Sequence, residues 1–202
     1  MGIDEHNQFE ALIQGLIADD YSSCTDFLSI STLAGLRSQM ESLILLGQMN
    51  PAGIGNKSDM HEDRSIRRDK VNWIEELSTN EFEQIYIKKV WRFIEYLNKT
   101  CFTSITSLES HYSHYEQGSF YKRHLDQFQN EKGRKFSIVL YLNQDWKEED
   151  GGLLSLYPSN RAEKNISPVE GRFVFFRSDE MEHEVHPSST RNRNSIAGWL
   201  KN

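Results

Sequence analysis

The chain is poor in cysteine, poor in positive charge and without a long apolar run, and each lack closes off a class of function. Cys24 and Cys101 are its only two cysteines, too few for a disulfide framework and in keeping with a reducing compartment. Lys and Arg number 23 against 30 Asp and Glu, a formal net charge of −7. Nucleic acid or an anionic membrane surface would be repelled unless basic side chains were gathered into a patch. No stretch approaches the roughly 20 apolar residues of a spanning helix. The opening MGIDEHNQFEAL lacks the basic and apolar parts of a secretory leader, and no internal repeat is visible. These absences lead to the expectation of a soluble, cytoplasmic monomer that binds neither nucleic acid nor membrane.

What is present is core. With 202 residues, 37% hydrophobic and 11% aromatic, the chain suits one domain able to bury a sizeable interior. Its periodicity divides it. Phe9, Leu12, Ile13, Leu16 and Ile17, then Leu33, Leu36, Met40, Leu43, Ile44 and Leu46, recur at three and four residues over 1–48, the spacing of helices. Ser29 or Ser31 can cap the second of them. Residues 49–66, including NPAGIGNKSDMHEDRS, have no period and read as a loop of the length used by lids and binding loops. VNWIEEL reads as a short strand. NEFEQIYIKKVWRFIEYLNKTC reads as a long amphipathic helix with Phe82, Ile85, Ile87, Val90, Phe93, Ile94 and Leu97 on one broad face. Over 107–200 the period becomes two, with turn signals between runs: LESHYSHY, FYKRHLDQF, KFSIVLYLN, GLLSLYP, GRFVFFRS, MEHEVHP and NSIAGWL. Seven or eight short strands after helices predict an α+β fold, a double-sheet jelly roll braced by helices on one side.

Within FYKRHLDQF, His124 and Asp126 stand two apart, which on a strand puts them on one face. By itself the pair is equally a surface histidine hydrogen-bonded to its neighbour. Downstream, MEHEVHP supplies His183 and His186, either of which can complete a set of two histidines and one carboxylate with open positions, the arrangement of non-haem Fe(II) oxygenases. Ten residues beyond His183 comes Arg193, whose guanidinium can hold a carboxylate bidentately. A dicarboxylic co-substrate chelating the metal at one end would be anchored there at the other.

HYSHYEQGSFYKRHLDQF, IVLYLNQDW, GGLLSLYP, HEVHP and RNSIAGWL, with IRRDKVNWIEE upstream, resemble the 2-oxoglutarate and Fe(II)-dependent oxygenases of the prolyl 4-hydroxylase superfamily, in the branch of the HIF prolyl hydroxylases and their bacterial relatives. The resemblance covers roughly residues 66–200. It implies the double-stranded β-helix form of the jelly roll, with 49–66 as a substrate loop. It implies that His124, Asp126 and His183 hold the iron, His183 being preferred to His186 by the Glu-Val and Pro that follow it. It implies that Arg193, rather than Arg191, pairs with the far carboxylate of 2-oxoglutarate. Tyr141 would hydrogen-bond that carboxylate, Tyr115 would lie near the chelating end, and Leu154 and Trp199 would line the pocket. Arg67, Asp69 and Arg134 would face the substrate. Because Asp126 is kept, where related halogenases lose the carboxylate and admit halide, hydroxylation is implied. The co-substrates would be 2-oxoglutarate and O2, with ascorbate as an accessory reductant, and the products succinate and CO2. The implied substrate is a prolyl residue of a protein, a translation elongation factor being one candidate partner. A hydroxylase of a free amino acid or metabolite, and a non-catalytic metal-binding jelly roll, are the rival readings.

Overall fold

The computed structural model describes residues 2–53, 63–127 and 133–202. Its elements run α1 (Ile3–Asp19), β1 (Tyr21–Cys24), α2 (Ile30–Leu45), β2 (Asn50–Pro51), β3 (Lys70–Ile74) and α3 (Glu81–Cys101). There follow β4 (Ser107–Tyr115), β5 (Tyr121–His124), β6 (Arg134–Tyr141), β7 (Leu154–Tyr157), β8 (Lys164–Ile166), β9 (Phe173–Arg177), β10 (Glu182–Val185) and β11 (Arg193–Lys201). Half of the loop expected at 49–66, residues 54–62, lies outside the described residues.

The last eight strands are divided between two antiparallel sheets. β4, β6, β9 and β11 go to a larger sheet of order β1-β9-β6-β11-β4-β3-β2, and β5, β7, β8 and β10 to a smaller one of order β5-β10-β7-β8. This is the expected jelly roll. β1 and β2 lengthen the larger sheet at its two edges, and neither they nor the three-residue β8 were anticipated, since runs this short carry no period to read.

Side-chain alternation explains how one sheet serves two cores. On β9, Phe173 and Phe175 pack with the helices, whereas Val174 and Phe176 join the cluster between the sheets, so four apolar residues in a row are all buried. Phe27, just before α2, stacks on Phe173 with ring centroids 3.8 Å apart, and Phe93 of α3 meets Phe175 edge-on at 5.0 Å. Each such ring contributes about 2–3 kcal/mol by leaving water. The helices therefore hold the outer face of the larger sheet and leave its inner face to the site.

Their ends follow the sequence. Ser29, not Ser31, caps α2 by accepting from the Thr32 N–H, and Asn80 caps α3 by accepting from Phe82 and Glu83. Ile17, Leu46 and Ile85, placed on apolar faces by period alone, are exposed. The stripe that reaches the sheet from α3 is narrower, through Tyr86, Val90, Phe93 and Leu97. Ile85 falls on its flank, and Leu46 lies beyond the last turn of α2.

Candidate active site

The smaller sheet carries the histidines. β10 pairs with β5 so that His183 stands opposite His124, and their rings lie 4.2 Å apart. The strand expected to run through Asp126 instead ends at His124. Asp126 reaches the same point from the bend that follows, because Gln127 N–H bonds Ser178 O and Arg134 donates to the Asp126 carbonyl. The carboxylate spans both imidazoles: Oδ1 is 3.5 Å from His124 Nε2, and Oδ2 is 3.5 Å from His183 Nε2. One ligand atom from each of the three residues lies within 4.8 Å of the others, a group that could hold a metal ion.

The histidine tautomer follows from its partners. His124 Nδ1 is 2.7 Å from Lys122 O, and His183 Nδ1 is 3.1 Å from Met181 O. A carbonyl only accepts, so each Nδ1 donates and each Nε2 presents its lone pair inward, as metal ligation requires. Tyr121 stacks on the His124 ring at 3.5 Å, and Ser137 donates to Asp126 Oδ2 at 2.7 Å. Burial works to raise the Asp126 pKa, but His183, His124 and Ser137 outweigh it and keep the carboxyl ionised, far below its usual range. Burial pushes His183 down to about 4, which holds its imidazole neutral. The choice between His183 and His186 is made by strand parity. His183 and Val185 face inward, while His186 turns to Ser155 Oγ, 2.6 Å away.

The larger sheet carries the cation. Arg193 opens β11 directly opposite Tyr115 of β4, and Tyr141 of β6 pairs one step further along. The guanidinium is 2% exposed, donates through Nε to Gly152 O at 2.9 Å and through Nη2 to the Tyr141 hydroxyl at 3.3 Å, and lies 5.1 Å from the Tyr115 ring centre. Among the described residues no carboxylate balances this buried charge. A buried cation with only neutral partners is a place for an anion. Burial raises both tyrosine pKa values, so both phenols remain neutral hydroxyls able to donate. Arg191, in contrast, lies on the surface against Trp146 and Gln144 O. Gly152, at φ +64, sets the backbone under the guanidinium; a Cβ there would come within 3.1 Å of Trp146 and 3.3 Å of Arg193 Cδ.

Leu154 lies in the intersheet cluster with Tyr115 and Tyr141. Trp199 does not join Arg193: the two share a face of β11 but stand six residues, roughly 20 Å, apart. Trp199 belongs instead to a second group at the rim. Its ring lies under the Arg134 guanidinium at 3.5 Å and beside His111 at 5.2 Å, and Trp73 flanks His111 at 4.9 Å. Arg67 grips Asp69 through two bonds of 2.8 and 2.6 Å and lies over the Tyr121 ring. Isolated pairing of Arg67 with Tyr121 attaches this segment to the edge of the smaller sheet. Sequence reasoning missed Ser137, Gly152 and His111. All three depend on pairings remote in sequence.

Residues 110–201 match the family described as the 2OG-Fe(II) oxygenase superfamily. Human Egl nine homolog 1 is 30% identical over 185 residues, 86% of this chain and 42% of that protein, so the chain spans less than half of its curated relative. A prolyl-4-hydroxylase of Pseudomonas putida superposes with a TM-score of 0.89 at 30% identity, covering 96% of this chain and 100% of the other. A prolyl hydroxylase of Trichoplax adhaerens, solved with a hypoxia inducible factor oxygen degradation domain peptide fragment, superposes at 0.88 and 25% identity, covering 98% and 90%. A clustered His-Asp-His group and a buried arginine on the other sheet, in a fold shared over 96% of the chain with a bacterial prolyl hydroxylase that is 30% identical, place this chain in the 2OG-Fe(II) oxygenase superfamily as a homologue of its prolyl hydroxylases.

Proposed function

We propose that the chain is a 2-oxoglutarate- and Fe(II)-dependent dioxygenase that hydroxylates a prolyl residue of a protein at the 4-position, releasing succinate and CO2. The observation that carries this reading is the pairing of the two half-sites on facing sheets. Three ligand atoms lie within 4.8 Å of one another beside the smaller sheet, and the larger sheet carries a buried guanidinium with no carboxylate partner among the described residues. His124 Nε2, Asp126 and His183 Nε2 hold the iron, which when bound supplies the oxidation of C–H by O2. Arg193 and Tyr141 receive the far carboxylate of 2-oxoglutarate, with Tyr115 beside its other end and Leu154 as apolar wall.

The chain's own contribution is to hold imidazoles in one tautomer, to keep Asp126 ionised and to exclude water from the space between the sheets. Arg67, Asp69, Arg134 and Trp199 bound the entrance on the substrate side. The chain acts as one domain, with 49–66 as substrate loop, and as a cytoplasmic monomer with ascorbate as accessory reductant. A translation elongation factor is the first protein to assay.

The test is an anaerobic titration of metal-free protein with Fe(II) and 2-oxoglutarate, following the weak visible charge-transfer band of the chelate. The band forms in the wild type and is lost in Asp126→Ala and Arg193→Ala. Iron bound normally with no band in the wild type would retire the oxygenase reading in favour of a metal-binding jelly roll. Hydroxylation of free proline in preference to any peptide would replace the protein substrate with a small molecule.

A further inference from the structure

His111 is a buried imidazole that the fold does not use. It is 4% exposed, and its Nδ1 takes no hydrogen bond among the described residues. Buried side-chain nitrogens in native folds almost always have a partner, so an orphan beside a binding cavity marks where a ligand's polar group belongs. Its direction is fixed by the strand. On β4, His111 shares a face with Ser113 and Tyr115, and Tyr115 lines the space between the sheets under Arg193. Across the ladder His111 stands opposite Trp73 on one side and the small Ala197 on the other. Trp73 and Trp199 flank the ring, and Trp73 is half exposed. The imidazole therefore faces inward between the sheets beside the half-exposed Trp73, within the electrostatic reach of Arg67, Asp69, Asp126 and Arg134.

The chemistry of the group it would take is set by what is already engaged. Arg67 is held by Asp69 and by Gly53 O, and Arg134 donates to the Asp126 carbonyl and lies over the Trp199 ring. At His111 itself a carboxylate would meet no charge to pair with, since a neutral ring offers only hydrogen bonds. Burial lowers the His111 pKa to about 4, so near neutrality the ring offers one N–H donor and one lone pair and no charge. A peptide group presents the complementary carbonyl and N–H, and the two indoles accept the apolar chain beside it.

We propose that His111 is a positioning residue that hydrogen-bonds the substrate's main-chain amide next to the target proline, so that the site favours a peptide over a free amino acid. This deepens the reading given above and rests on it. Prolyl oxidation would occur with or without His111; the residue governs which form of proline is held.

The test uses the Fe(II)-loaded enzyme with 2-oxoglutarate, an equimolar pool of blocked Xaa-Pro-Xaa tripeptides as one probe and free proline as the other. His111→Phe keeps the aromatic packing and removes both nitrogens; His111→Asn returns a donor and an acceptor near the position of Nδ1. In the wild type the pool gains one oxygen by mass and free proline does not. His111→Phe raises the KM for the pool about tenfold with kcat changed less than twofold, and His111→Asn recovers to within about threefold. An unchanged KM for the pool in His111→Phe overturns the assignment, as does a parallel rise in the KM for 2-oxoglutarate, which would mark a structural role. If the wild type oxidises neither probe, prolyl hydroxylation itself is in question, and anaerobic quenching of tryptophan fluorescence by the pool then decides His111 separately. Quenching that saturates at the same concentration in the wild type and His111→Phe overturns it; a tenfold shift sustains it.

Discussion

Arg193 shows how much a single side chain can be asked to do. It is a full charge at the base of the cavity, satisfied by a carbonyl and a hydroxyl but not neutralised. A charge-assisted bidentate pair with a ligand carboxylate contributes about 2–3 kcal/mol. Arg193→Ala is therefore expected to raise the KM for 2-oxoglutarate roughly 30- to 150-fold, measured by succinate formation. Tyr141→Phe, which removes one hydroxyl, should raise it roughly fivefold, near 1 kcal/mol. An Arg193→Ala enzyme of wild-type affinity would mean that the anion sits elsewhere. His111 makes a pH prediction at the same scale. Its folded pKa is depressed to about 4 by burial, against 6.5 for the open chain. Between those values the unfolded chain binds the proton and the folded chain does not. The contribution of the neutral ring is thus fully present above about pH 6.5 and is lost as the pH falls towards 4, an effect of at most roughly 3 kcal/mol. Buried His183 adds a decline of the same sign in metal-free protein, so the informative quantity is the difference. Urea midpoints of His111→Phe should fall less steeply than those of the wild type between pH 6.5 and 4, and parallel curves would contradict the burial.

At the scale of elements, what could be read from the sequence was what repeats locally. The alternation in LESHYSHY and NSIAGWL is the alternation of β4 and β11, which pair along their whole length from Arg193 opposite Tyr115 to Lys201 opposite Ser107. The i and i+3 or i+4 recurrence gave α1, α2 and α3, and Ser29 was one of two caps offered for α2, whereas the Asn80 cap of α3 was not read. Asn80→Ala, which removes the acceptor for two orphan N–H groups of α3, is expected to cost about 1 kcal/mol. It should lower the urea midpoint without altering the slope; a change in slope would instead point to a loosened packing of α3 on Phe175. What could not be read was anything decided by a partner far away. β1 and β8 are strands only because β9 and β7 lie beside them. The break after His124 comes from Ser178 and Arg134, 51 and 8 residues from Gln127 and Asp126. Asp126 was expected to share a strand face with His124; it comes within 3.5 Å of it from a bend held by those contacts and not from strand parity.

For the whole molecule the same division decides how the site was legible. Residue types announce chemistry, so His124, Asp126, His183 and Arg193 stand out of the chain without coordinates. The geometry that makes them a site depends on two sheets meeting face to face, and Ser137, Gly152 and His111 became visible only there. That arrangement has a consequence for stability. In the function proposed above, the three metal-ligating atoms belong to the β5–β10 side of the smaller sheet, and the anion anchor belongs to β11 of the larger one. A metal ion therefore ties together neighbours in one sheet, whereas 2-oxoglutarate, spanning from metal to Arg193, ties one sheet to the other. Each ligand at about 100 times its Kd stabilises the folded state by roughly 2.7 kcal/mol, or about 5–10 °C in Tm for a chain of this size. Because the co-substrate chelates the metal, 2-oxoglutarate alone should move Tm far less than 2-oxoglutarate added after Fe(II). In anaerobic thermal melts, Asp126→Ala should lose both increments. Arg193→Ala should keep the metal increment and lose the second, because its metal ligands are untouched while the bridge between sheets has no far end. An Arg193→Ala protein that retained the full second increment would show that 2-oxoglutarate is held by the metal alone and that the buried guanidinium serves the fold.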